Sequence, residues 1–294
     1  MHTDVPECVW PVAAELGEGP VWMAAQGALW FVDIKGRQIH RFQERSRETR
    51  SWAAPEPIGF VAPTTDGGFI CGLKTGLYRF DPDGGAFEPH LRAFEPVELD
   101  NRLNDGFVDP AGRLWFGSMH DPEVKATGAL YRLDDGPVAR RCDEGYRVTN
   151  GPAASPDGRV LYHVDTVART IWAFDLGARG ELSGKRQFVR IERPGGFPDG
   201  LAVDTEGGVW VALFGGWGLE RYDPQGRLVA RIEAPCANVT KPAFGGPDLK
   251  TLYFTTAWMG LSPQARADQP LAGGLFRVEV EAAGLPPNLL RCGL

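Results

Sequence analysis

The chain is poor in the residues that build thiolate and imidazole sites. Its 294 residues include five cysteines, five histidines and four methionines. The cysteines stand at 8, 71, 142, 236 and 292, an odd number with no C-x-x-C pair, so neither a disulfide framework nor a thiolate zinc site is indicated. Five reduced thiols are expected, with Cys8 and Cys292 neighbours only if the termini meet. There is no H-E-x-x-H helix, G-x-S-x-G elbow, Walker loop or dinucleotide fingerprint. Positive charge is also in deficit, with 31 Lys and Arg against 38 Asp and Glu, a net charge of −7. Phosphate binding needs clustered basic residues, so no nucleic-acid partner is expected. No apolar run approaches the roughly 20 residues that span a bilayer, so no membrane partner is expected either. The opening MHTDVPECVW lacks the basic and apolar regions of a secretory signal, and a cytoplasmic protein is expected. A sustained 3.6-residue period is missing too, so helices should be few.

Turn-formers are abundant: 38 glycines and 24 prolines, without low-complexity tracts. Between them a short apolar run recurs every 40 to 48 residues, in Leu29-Trp30-Phe31-Val32, Phe69-Ile70-Cys71-Gly72, Leu114-Trp115-Phe116-Gly117, Leu161-Tyr162-His163-Val164, Val209-Trp210-Val211-Ala212 and Leu252-Tyr253-Phe254-Thr255. A second run follows each, such as Leu77-Tyr78-Arg79-Phe80 or Leu219-Glu220-Arg221-Tyr222. Pro156-Asp157-Gly158 and Asp223-Pro224-Gln225-Gly226 are typical of the turns between them. About 45 residues per unit, each with several short strands, is the signature of a β-propeller blade. Six units fill the chain. The fold expected is therefore all-β, one six-bladed β-propeller over residues 1–294, with a metal site in its central channel and a monomeric state. The lone segment Cys8–Val12 is the natural piece to complete the last blade.

The metal expectation comes from aligning the units. The residues equivalent at the start of the innermost strand are Glu18, Gly59, Asn104, Asn150, Asp199 and Lys241. Each Asn-Gly or Asp-Gly alone reads as a turn, but their common register places two carboxylates, two amides and a lysine in one ring. Converging carboxylates repel unless a cation or proton lies between them. Lysine is one neutraliser and a divalent metal the other. Oxygen donors suit Ca²⁺, Mg²⁺, Mn²⁺ or Fe²⁺, whereas Zn²⁺ normally recruits His or Cys. Lys241 reads equally as a salt-bridge partner or a substrate contact. Residues at the ends of the next strands, including Lys35, Lys74, His120, Asp121, Thr166 and Phe214, reach the same face. This mixture of aromatic, charged and hydroxyl groups suits a sugar-like ligand. Arg102, two residues before Asn104, is placed to reach it, whereas His163, inside an apolar run, reads as core.

The segments Leu16-Gly17-Glu18-Gly19-Pro20-Val21-Trp22, Phe31-Val32-Asp33-Ile34, Asn101-Arg102-Leu103-Asn104-Asp105-Gly106, Asn150-Gly151-Pro152, Pro198-Asp199-Gly200-Leu201 and Lys241-Pro242 resemble, in order, the regucalcin (senescence marker protein) and gluconolactonase family. The features His120-Asp121, Gly215-Gly216 and Ala272-Gly273-Gly274 look most like bacterial sugar lactonases, xylonolactonases included. The resemblance implies a six-bladed propeller holding one divalent cation on Glu18, Asn150 and Asp199. It implies substrate contacts from Arg102 and Asn104, and from an acid that falls near Asp121, with Glu123 its rival. The activity implied is hydrolysis of an aldonolactone of the xylono- or gluconolactone type, with Asp199 as general base. A different metal-dependent esterase or phosphotriesterase and a non-catalytic calcium-binding propeller are the alternatives.

Overall fold

The computed structural model describes residues 5–291 apart from 93, 135, 137 and 193. Cys292 lies outside the described residues, and the other four cysteines are free thiols. Six four-stranded antiparallel sheets follow one another along the chain. Five are continuous stretches; the sixth takes its outermost strand, Glu7–Trp10, from the other end of the chain. That strand pairs antiparallel with Leu275–Glu279, Cys8 facing Phe276, as the repeat arithmetic requires. Among the described residues, helix is confined to two 3₁₀ turns and Pro263–Asp268, which is N-capped by the Ser262 hydroxyl.

Each recurrent apolar run is the second strand of its blade, and burial explains its composition. Ala28–Asp33, Phe69–Leu73, Leu114–His120 and Thr251–Ala257 are buried at every position. A strand covered on both faces reads as continuous hydrophobic sequence instead of alternating. Outer strands such as Ala86–Arg92 are largely exposed. Because one sheet cannot cover its own two faces, the apolar side chains pool between neighbouring blades. Trp30 and Phe69 meet between the first two, Phe60 and Phe116 between the next, Trp22 and Tyr253 across the closure.

The innermost strands are Gly17–Met23, Ile58–Pro63, Asn101–Val108, Thr149–Ala154, Phe197–Val203 and Asn238–Gly245. Every one carries a register shift at the same level against its second strand: after Glu18, Ile58, Leu103, Asn150, Pro198 and Val239. A one-residue bulge turns the backbone and re-aims side chains. These equivalent bulges therefore set one level of the channel, polar in every blade but the second, which has Gly59 there.

Below that level come Asp105 and Lys241, and beyond them the strands become apolar. The opposite mouth of the channel is lined by Pro20, Pro63, Pro152 and Pro242 together with Leu285–Asn288 from the C-terminal segment. Asn288 Nδ2 donates to Val108 O at 2.9 Å and Leu290 N to Pro63 O at 2.8 Å, holding this segment across the third and second blades.

Candidate active site

Glu18, Asn104, Asn150 and Asp199 all lie at the bulge level and are buried, and all four line one cavity of about 300 Å³. The ring expected from the repeats is thus assembled, with one change of register. Val239 pairs with Thr256 as Gly17 pairs with Asp33, so the sixth ring position is Thr240 and not Lys241. The Thr240 hydroxyl turns into the sheet, bonding Gly17 O at 2.6 Å. Lys241 falls one position further in, level with Asp105, and its Nζ is ion-paired with Asp105 Oδ1. The blade-two gap at Gly59 has a steric reason: a Cβ there would lie 2.2 Å from the main-chain oxygen of Asn104.

The amides and Arg102 form a fixed chain of donors. Arg102 Nη1 donates to Asn104 Oδ1 at 2.5 Å and to Leu103 O at 3.2 Å. Asn104 Nδ2 donates to Thr149 O at 2.6 Å and to Asn150 Oδ1 at 2.9 Å, and Asn150 Nδ2 donates to Thr166 Oγ1 at 2.9 Å. Both amides are thereby oriented, and Asn150 Oδ1 keeps a second lone pair.

Asp121 sits elsewhere than expected. It does not line the cavity; its carboxylate accepts from Arg102 Nε at 3.1 Å, Lys35 Nζ at 3.1 Å and Lys74 Nζ at 2.9 Å. Burial would push Asp121 up, but the hydrogen bonds from Lys74 and Lys35 and the charge of Arg102 win, holding it at about 2. The acid that faces the cavity is Glu123, in a left-handed turn with φ of 60°. Glu123 therefore faces the cavity, and Asp121 anchors Arg102. His120 Nδ1 accepts from Val124 N at 3.2 Å and so shapes this loop. His163 is fully buried, with Tyr146 edge-on at 4.8 Å, as a core residue should be.

Glu18 and Asp199 carry the unusual electrostatics. Burial, then the nearby Asp105 charge, pushes Glu18 up to about 8. Burial, then Glu18 and Asp105, pushes Asp199 well above the carboxylate range. The two carboxyls face the same cavity and act on one another, and Glu18 Oε2 accepts from Gly19 N at 2.8 Å. Lys241 is committed to Asp105 and Arg102 to Asp121, and neither Glu18 nor Asp199 has an ion pair of its own among the described residues. Two buried carboxyls and an oriented amide oxygen on one cavity are the donor set of a hard divalent cation. Among the described residues no group of three or more His, Cys, Asp or Glu could hold a metal ion without another donor type. The remaining wall is apolar: Leu16, Val148, Val167, Phe197, Phe214 and Met259.

Sequence reasoning missed Asp105 as a site residue, although it stands in the motif Asn104-Asp105-Gly106; the bulge that brings two successive residues to the channel was the unseen element.

Residues 16–258 match the family model described as the SMP-30/Gluconolactonase/LRE-like region. The chain belongs to this family. Among its relatives, the L-arabinolactonase of Azospirillum brasilense is 37% identical over 274 residues, covering 92% of this chain and 90% of that protein. The 6-deoxy-6-sulfogluconolactonase of Pseudomonas putida is 36% identical over 281 residues, 95% and 96% of the two chains. The crystal structure of a calcium-binding protein, regucalcin, from Agrobacterium tumefaciens superposes with a TM-score of 0.93 at 29% identity, covering 98% of each chain. The family's propeller is the fold read from the repeats, and Glu18 through Trp258, from the first ring residue to the last blade's loop, lie inside the matched region.

Proposed function

We propose that the protein is a divalent-metal-dependent sugar lactonase that opens an aldonolactone to the aldonic acid. The observation that carries this reading is the pair of buried carboxyls, Glu18 and Asp199, facing one cavity beside Asn150 with no cationic side chain ion-paired to them among the described residues. The relatives named as lactonases of arabinose-type and gluconic-type sugars support the substrate class. Glu18, Asn150 and Asp199 would hold the cation. When bound there, a divalent cation supplies Lewis acidity towards a carbonyl oxygen and counter-charge for a developing oxyanion.

The chain's own residues do the rest. Asp199, as a carboxylate on the cavity wall, takes the proton of the attacking water. Arg102 presents donors to ring oxygens, its guanidinium held in plane by Asp121, Asn104 and Leu103 O. Asn104 orients Asn150 and faces the sugar, and Glu123 accepts from its hydroxyls. Leu16, Phe197, Phe214 and Met259 cover the C–H faces of the lactone and keep bulk water out.

The test is acid release from glucono-, xylono- and arabinonolactone, with and without chelator. Turnover that survives complete chelation overturns the reading. Asp199→Ala should lose the metal and at least about 10³-fold of kcat, from a lost base and a lost ligand together; retained activity sinks the assignment. Simple esters and phosphotriesters in the same assay separate the alternative hydrolases, for which the apolar half of the wall is the supporting feature. Cation binding without turnover of any of these would mark a binding propeller.

A further inference from the structure

We infer that Asp105 and Lys241 are a buried charge-balancing pair: they cancel one another beneath the ring, so that Glu18 and Asp199 present a net charge of −2 to the cation and Lys241 cannot take its place. This rests on the metal-dependent reading above.

The pair is built into the channel. Asp105 is 1% and Lys241 6% exposed. Asp105 Oδ1 receives the Lys241 ammonium and Gly106 N at 2.7 Å, and Oδ2 receives Gly151 N at 2.8 Å. The partners come from the third and sixth blades, so their side chains meet across the channel. Room is made by glycine at the same level in the fifth blade, where a Cβ at Gly200 would lie 2.3 Å from Lys241 Cγ. Neither residue lines the cavity that holds the ring, so neither is placed to touch substrate. Both nevertheless act on Glu18 and Asp199 through their charges, Asp105 repelling and Lys241 attracting. Without Asp105, the lysine has two carboxylates as its nearest remaining counter-ions and becomes a tethered competitor for the metal. Without both, the balance is restored. Asp105 and Lys241 are positioning residues, and the signature of the role is a reversal in the double variant.

The measurement is Mn²⁺ affinity of the metal-stripped protein by calorimetry, with a thermal melt on each variant. D105N should bind Mn²⁺ about tenfold or more weakly than wild type, the result of one uncancelled charge close to a divalent ion. D105N/K241M should return to within about threefold of wild type. Undiminished binding by D105N overturns the inference, and so does a double variant as weak as D105N, which would assign Asp105 to backbone contacts instead. If D105N gives no cooperative melt, K241M is read in its place: binding tighter than wild type supports the pair's role, and equal or weaker binding overturns it. A wild type that binds no Mn²⁺, Mg²⁺ or Ca²⁺ overturns the lactonase reading and the pair's role together, whereas wild-type binding with unresponsive variants overturns the pair's role alone.

Discussion

A buried carboxylate means nothing until its partners are known. Asp109, Asp204, Glu18 and Asp199 are all buried, yet the first two are fully satisfied. Asp204 accepts from Trp210 Nε1 at 2.9 Å, Arg221 Nε at 2.7 Å and Gly208 N at 2.8 Å; Asp109 accepts equivalently from Trp115 Nε1, Arg113 and Ala111. Glu18 accepts from Gly19 N at 2.8 Å, and neither it nor Asp199 has an ion pair among the described residues, which suits the two to a cation. Asp121 is a third case, a carboxylate whose three cations make it an anchor. Asp121→Asn keeps the shape and removes the charge that holds Arg102, so KM for an aldonolactone should rise about tenfold with kcat little changed. A loss confined to kcat would contradict this placement. The depressed Asp121 carboxyl also contributes stability that is full above its unfolded value near 3.8 and is lost as pH falls towards 2.

At the scale of the strand and turn, the same device recurs. The carboxylate at the end of an inner strand caps the following turn and reaches the Trp six residues on, in blades three and five. Asp204→Ala would leave Arg221 and the Trp210 indole without their shared acceptor in a buried turn. It should cost about 3 kcal/mol or more in a urea titration, with the activity of the molecules that remain folded unchanged. Strand identity was readable from the apolar runs because strands buried on both faces need them. The bulges were not readable, since an extra residue on one strand is defined only against its partner. That is why Lys241 was aligned to the ring and Thr240 holds the position. Glu123 reaches the cavity from a turn in which its own φ is 60°, a left-handed conformation that its residue type does not announce.

At the scale of the whole molecule, the ring is closed by a strand from the opposite end of the chain. Removing residues 5–12 would open the edge of Leu275–Glu279 and uncover Phe276 and Leu275, both fully buried. Truncation should lower Tm by several degrees and promote association through the freed edge; an unchanged melt would show that closure lies elsewhere. The proposed cation site spans blades one, four and five, so a bound ion would help to hold the ring together. Metal at about 100 times its Kd should add about 2.7 kcal/mol to stability. The metal-free protein should behave differently with pH. Glu18 is raised to about 8 in the folded state, above its unfolded value of 4.5, so the folded form keeps a proton that the unfolded form has lost. Stability of chelated protein should therefore be greatest below pH 4.5 as far as this group is concerned, and fall as pH rises towards 8. Melts from pH 5 to 8 with and without chelator would show it; parallel pH profiles would refute it.

Residue type and period alone determined the six blades, the strand that closes them and the set of oxygen donors, because burial and turn chemistry are written locally and repeat six times. Only the folded ring decided which of those oxygens share a cavity, which acid anchors an arginine and which lysine is already spent on an aspartate. Those choices depend on side chains brought together across the channel from blades far apart in sequence, and on bulges that have no meaning in a single strand.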